Sequence, residues 1–297
     1  MKTLNVIGLS KVWLGISGAF LVASVVCIAV FGLNLGIDFT GGSLLEEQFE
    51  TRPEAGDVRT LLAEQGFNAQ VQESGDSSIV MRLEPLTPEQ HTAITTALSD
   101  AYGSIDELQF ESVGPVIGEE LKKKSAVAIV LLLTLIVLYV AYTFRKVSKP
   151  VASWKYGLLT IVAALHDVVI PVGVFAVLGH YFGYQIDTAF VAAILTILGY
   201  SINDTIVVFD RTRENLVMDR HSDASFGEIV NKSVAQSFAR SINTSLTTIL
   251  VLVTIFLVGG ETTKPFILAL IIGILAGTYS SIFIASPLLV FWEKKLR

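Results

Sequence analysis

The chain is poor in the residues from which most enzymes and most secreted folds are built. One cysteine, Cys27, stands in 297 residues, so no internal disulfide can form and the thiol says nothing about redox compartment. There are four histidines, no glycine-rich phosphate-binding loop and no cluster of metal ligands, which leaves nucleotide hydrolysis and metal chemistry without support. Charged residues make up only 16% of the chain. Across 38–120 lysine is absent, and 17 Asp and Glu face only Arg52, Arg59 and Arg82. That acidity argues against nucleic acid and anionic lipid as partners of this stretch.

What is abundant is apolar sequence, 52% of all residues. A spanning helix needs ~20 mainly apolar residues, and the runs 12–33, 125–144, 156–181, 188–209, 240–258 and 266–291 meet that length. The expectation is a polytopic α-helical membrane protein with six transmembrane helices and both termini on one side. Lysine and arginine stay on the cytoplasmic side of short loops. Lys2 and Lys11 precede the first run, Arg145, Lys146, Lys149 and Lys155 lie between the second and third, Arg211, Arg213, Arg220 and Lys232 between the fourth and fifth, and Lys294, Lys295 and Arg297 follow the sixth. The opposite short loops carry only Lys264. Cytoplasmic termini follow, with Trp13, Trp154 and Trp292 as an interfacial belt. The first run is too long for a signal-peptide core and lacks a small-x-small cleavage site, so it reads as an uncleaved anchor.

Three parts result: 1–33 with the first span, 34–124 as one exported domain, and 125–297 as the remaining five spans and their loops. The exported part reads as strand 44–49, helix 53–65, a hairpin of 69–73 and 78–83, helix 88–98 opened by Thr87, and strand 105–113. The order βαββαβ is ferredoxin-like, a fold that names no function by itself.

The fourth span reads LGYSINDTIVVFDRTREN over 198–215 and holds Asp204 within apolar sequence. Six residues separate it from the Asp210, Arg211, Arg213, Glu214 cluster, which places it ~9 Å inside the water boundary. An ionisable group there costs at least ~2.5 kcal/mol on insertion scales and is functional by default. Thr196, Tyr200 and Asp204 share a helix face with Asn203 beside it, and that face should meet protein. Polar residues that merely join helices are the alternative.

Further polar groups sit in other spans. His166 and Asp167 precede Pro171, where a kink and either a hydrated cavity or structural pairing is expected. Residues 225–239 read as an amphipathic helix lying on the membrane or on a partner. Arg240 opens the fifth span at a depth near that of Asp204, with pairing to it or snorkelling as the two readings. Gly273 and Gly277 suit close helix packing, and Pro287 predicts a second kink. Gly36, Asp38, Gly41 and Gly42 form a hinge or packing corner after the first span, where Asp38 could begin a proton path.

GIDFTGG after the first span, the His-Asp pair in the third and LGYSINDTIVVFDRTREN in the fourth resemble the SecD/SecF family of bacterial protein-export membrane subunits, along the whole chain and on the side of the smaller subunit. The resemblance implies a fold like half of a resistance-nodulation-division (RND) transporter, and partners: SecD, the SecYEG channel, YajC and an unfolded preprotein. It also implies that Asp204 and Arg240 form a proton relay, with protons as the coupling ion and no cofactor or catalytic residue. The membrane potential would supply ~2.3 kcal/mol per charge per 100 mV. A proton-coupled small-molecule transporter subunit and a proton-inert scaffold remain as other classes; an intramembrane hydrolase on His166 and Asp167 lacks a nucleophile.

Overall fold

The computed structural model describes residues 5–145, 152–219 and 223–294. The orientation argument rests partly on Lys2, Lys146, Lys149, Arg220, Lys295 and Arg297, which lie outside the described residues. The chain divides into two compact units, one of Asn34–Val127 with Gln185–Thr188, the other of the remaining residues.

The first of these is built on a sheet. A one-turn helix α2 (Ile37–Thr40) precedes β1 (Gly42–Phe49), α3 (Ala55–Glu64), β2 (Gln70–Ser74), β3 (Ser78–Leu83), α4 (Pro88–Tyr102) and β4 (Ile105–Val113); α1 is Ser10–Phe31. The sheet order is β2-β3-β1-β4 with antiparallel neighbours throughout, the ferredoxin-like arrangement expected from the sequence. Alternation explains the core: Leu45 and Phe49 of β1 and Ile79 and Met81 of β3 bury against Val58, Leu62, Ile94 and Leu98 of the two helices. Thr87 opens α4 through a reciprocal capping box with Gln90. Between Glu46 and Glu47 the pairing with β4 slips by one residue, so that Leu108 has no partner across the ladder. Glu47 shares the core-facing parity of Leu45 and Phe49, has no exposed surface, and neither carboxylate oxygen has a hydrogen-bond partner. Burial, and then the negative charges of Glu107 and Asp106, push its pKa up to about 7.

The helical unit contains α1, most of α5 (Pro115–Thr143), α6 (Ser153–Phe182), α7 (Thr188–Met218), α8 (Phe226–Val258), α9 (Lys264–Ser280) and α10 (Ser286–Lys294). Six helical segments among the described residues are long and apolar enough to span a bilayer. Residues 225–239 are not a separate surface helix. They form the first half of the continuous α8, started by a Ser225–Glu228 capping box, and Phe226, Ile229, Val230 and Val234 are buried. Phe226, Val230 and Val234 join Tyr156, Phe209 and Leu289 in one core cluster. The apolar face covers protein because no residue between 226 and 258 breaks the helix. Arg240 therefore lies in mid-helix.

Pro171 leaves α6 helical throughout Ser153–Phe182. Before Pro287 the chain makes instead a π-helical segment, Ser281–Ala285, which absorbs the hydrogen bond that proline cannot give. At one end of the unit the Trp154 and Trp292 rings lie 5.9 Å apart with the Lys155 ammonium 5.6 and 5.4 Å from their centroids.

Candidate functional site

Helix α7 is fixed by close packing and by a belt of hydroxyls. A Cβ on Gly273 of α9 would collide with the Ile197 side chain, and one on Gly277 would lie 2.7 Å from Ser201 Cβ. The two glycines thus admit α7 to near backbone contact with α9, the use their spacing suggested. At this crossing the Ser201 hydroxyl donates to Asp167 Oδ2 at 2.5 Å, and the Ser280 hydroxyl donates to the same oxygen at 2.7 Å. The other oxygen of Asp167 lies 2.9 Å from His166 Nδ1. Thr205 and Ser281 hydroxyls meet at 2.9 Å, Tyr200 donates to Ser245 at 3.3 Å, and Ser245 and Thr278 hydroxyls are 2.5 Å apart. His166 and Asp167 are packed away from solvent, so their pairing is within the bundle, although His166 Nε2 keeps no partner.

Asp204 stands one turn beyond Ser201 and is 4% exposed. Among the described residues its Oδ2 is buried without a hydrogen-bond partner, and so is Ser241 Oγ across on α8. Of α8, Arg240 and Ser241 lie within electrostatic reach of the carboxylate. Arg240 nonetheless makes no ion pair with it among the described residues. Its exposed side chain lines a cavity of about 350 Å³ with Thr143, Asp210, Arg211, Glu214 and Gln236. Tyr200 is half-buried, whereas Thr196 and Asn203 are exposed on this chain, as are Asn243, Thr244 and Thr247 of α8. The α7 face read from the sequence is thus divided: Asp204 points inward, and Asn203 and Thr196 point outward.

The GIDFTGG segment is a packing corner. Gly36 donates to the Ile186 carbonyl at 2.8 Å and Ile186 donates to that of Asn34 at 2.8 Å, a parallel bridge that leaves a Gly36 Cβ 3.1 Å from Asp187 Cβ. Gly42, at φ 134°, sits where a Cβ would come 2.8 Å from the Leu83 carbonyl. Asp38 Oδ2 accepts from the Thr188 amide at 2.8 Å and from its hydroxyl at 2.5 Å. Sequence reading does not single out Thr188, Ser201, Ser280 and Ser281. Small polar residues in apolar spans were the available signal, and their partners lie in other spans.

Residues 93–295 match the family model for protein export membrane protein SecD/SecF, C-terminal, and residues 28–51 match the SecD/SecF GG motif. The protein translocase subunit SecF of Thermobaculum terrenum is 46% identical over 289 residues, covering 93% of this chain and 89% of that one. The SecDF subunit of Thermus thermophilus is 37% identical over 289 residues, which cover 94% of this chain and 37% of that longer one. A crystal structure of SecDF from Thermus thermophilus, titled a translocon-associated membrane protein, aligns with a TM-score of 0.86 at 34% identity. It covers 99% of this chain, which spans 39% of that chain.

Proposed function

This chain belongs to the SecD/SecF family of protein-export membrane proteins, and we propose that it is the SecF-type subunit that, with a SecD-type partner, uses the proton-motive force to drive late steps of preprotein translocation. The observation that carries the proton role is the Asp204 carboxylate: its Oδ2 is buried in a spanning helix without a hydrogen-bond partner among the described residues, so it can take a proton without breaking a contact recorded there. Such a group in lipid-spanning sequence is expensive unless it is used. Arg240, on the neighbouring helix, faces the cavity that also contains Asp210 and Glu214. Protonation of Asp204 removes the charge on which Arg240 acts and frees that arginine toward the two carboxylates, and deprotonation restores the attraction.

The exposed Asn203 and Asn243 side chains support a second membrane subunit against these helices, since polar groups in lipid need partners. SecD fills that place, and SecYEG and YajC complete the assembly around the preprotein. In this reading the termini are cytoplasmic, the sheet unit is periplasmic, protons are the coupling ion, and no cofactor or enzymatic step is involved.

The test is preprotein translocation in energised membrane vesicles, comparing wild type with Asp204→Asn after equal insertion and SecD association have been verified. Loss of the gradient-dependent part alone supports the proton role. Unchanged gradient-driven translocation assigns Asp204 to helix packing and the subunit to a proton-inert scaffold.

A further inference from the structure

A helix start is ordinarily served by the residue just before it, whose side chain accepts amide hydrogens of the next turn. The start of α7 is held from a distant part of the chain as well. The acceptor for the Thr188 amide and hydroxyl is Asp38, 150 residues earlier in the chain. Beside it the Gly36–Ile186 and Ile186–Asn34 backbone bonds tie the same two segments together. Gln185–Thr188, the approach to α7 and its first residue, consequently belongs to the sheet unit, while α7 from Ala189 onward belongs to the helical unit.

Asp38 is itself firmly seated. Its neighbours Ile37 and Phe39 are buried, 7% exposed each, and Ile37 packs against Gly42 at the start of β1. Gly41, with φ 74°, brings the segment against Pro115 at the start of α5, where a Cβ would come 3.0 Å from Pro115 Cα. Gly118 of α5 lies under it with equal closeness, its Cβ position 3.1 Å from the Gly41 nitrogen. The segment following α1, the first turn of α5 and the first residue of α7 therefore meet at one corner of the sheet unit. The glycines are required there because the backbones leave no room for side chains.

We propose that Asp38 is a positioning residue that makes the first turn of α7 move with the sheet unit, so that displacement of the helix carrying Asp204 is delivered to the sheet. This rests on the proton-driven reading above, but the physical link can be measured apart from it. The alternative is a purely local role, in which Asp38 only stabilises a helix end.

The experiment uses the full chain assembled with its SecD partner. In Asp38→Ala, amide hydrogen exchange over 186–190 should accelerate by about tenfold or more, the scale expected for loss of one charge-assisted hydrogen bond. In energised vesicles the same variant should keep its proton flux and lose gradient-driven translocation. Asp38→Asn, which retains an acceptor oxygen, should recover much of it, and Thr188→Ser should outperform Thr188→Val. Proton flux and translocation falling in proportion, or translocation unaffected despite faster exchange, overturns the proposal. A second pair of substitutions, Asp38→Cys with Thr188→Cys in a Cys27→Ala background, fixes the joint covalently. Translocation persisting after oxidation supports a joint that moves as one piece, and arrest on oxidation, reversed by reductant, overturns it. If instead Asp204→Asn leaves proton flux unchanged, the proton reading fails, while the exchange result still decides whether Asp38 holds α7.

Discussion

The Ser201 hydroxyl donates to Asp167 on α6 at 2.5 Å, three residues before Asp204 on the same helix. The intramembrane carboxylate with partners therefore anchors the helix that displays Asp204, whose Oδ2 has none among the described residues. Asp167 accepts from Ser201 and Ser280 and faces His166. Its removal leaves those buried groups without that partner, at roughly 1–3 kcal/mol for each one left unsatisfied. Asp167→Ala should lower the thermal unfolding midpoint in detergent substantially, and Ser280→Ala by less. An Asp167→Ala chain as stable as wild type would show that the network contributes nothing.

Ser241 gives the opposite expectation. Its Oγ is buried and has no hydrogen-bond partner among the described residues. Deleting an unsatisfied hydroxyl is close to neutral or stabilising. Ser241→Ala should keep the wild-type melting temperature and, on the proton-driven reading proposed above, change the pH dependence of proton flux, because Ser241 lies within reach of Asp204. A large drop in stability would mean that the hydroxyl has a partner after all.

The contact of Gly273 with Ile197 predicts a compensating pair. Gly273→Ala should destabilise by about 1–3 kcal/mol through overpacking, as read by thermal unfolding. Adding Ile197→Val should restore part of that loss, since the two sites touch and their effects are not additive. Strict additivity would place the clash elsewhere.

Glu47 makes the sheet unit pH-sensitive. Its folded pKa of about 7 stands above the ordinary glutamate value of 4.5, so the folded state holds the proton more tightly. The associated stability is fully present below about 4.5 and is lost as pH rises through about 7, a difference of roughly 3 kcal/mol. Protection of β1 and β4 amides in the full chain, corrected for the intrinsic pH dependence of exchange, should fall between pH 5 and pH 8, and Glu47→Gln should flatten that trend. Equal pH slopes in both proteins would exclude Glu47 as the source.

Much of this architecture could be read from local pattern. Spanning length, the period of two in β1 and β3 and the Thr87 capping signal each depend on neighbours in sequence, and each element was found near its expected place. Asp204 stood out for the same reason, as a charge inside an apolar run. What escaped notice depends on distant segments. Asp38 finds Thr188 150 residues away, and Asp167 finds Ser201 and Ser280 in separate spans. The length of α8 was misjudged because the polar residues around Arg240 resemble a boundary, although Ser225 and Glu228 already marked a helix start and no breaker follows.

The π-helical segment Ser281–Ala285 has a rotational consequence for everything after it. Each residue advances an α-helix by about 100°, so one extra residue in a turn swings the following helix by that angle about its axis. Leu289 and Val290 reach the interior, 0% and 4% exposed, from this rotated phase. Shortening the segment by one residue would make a more regular helix and turn its apolar side away from the core, exchanging local ideality for a misdirected face.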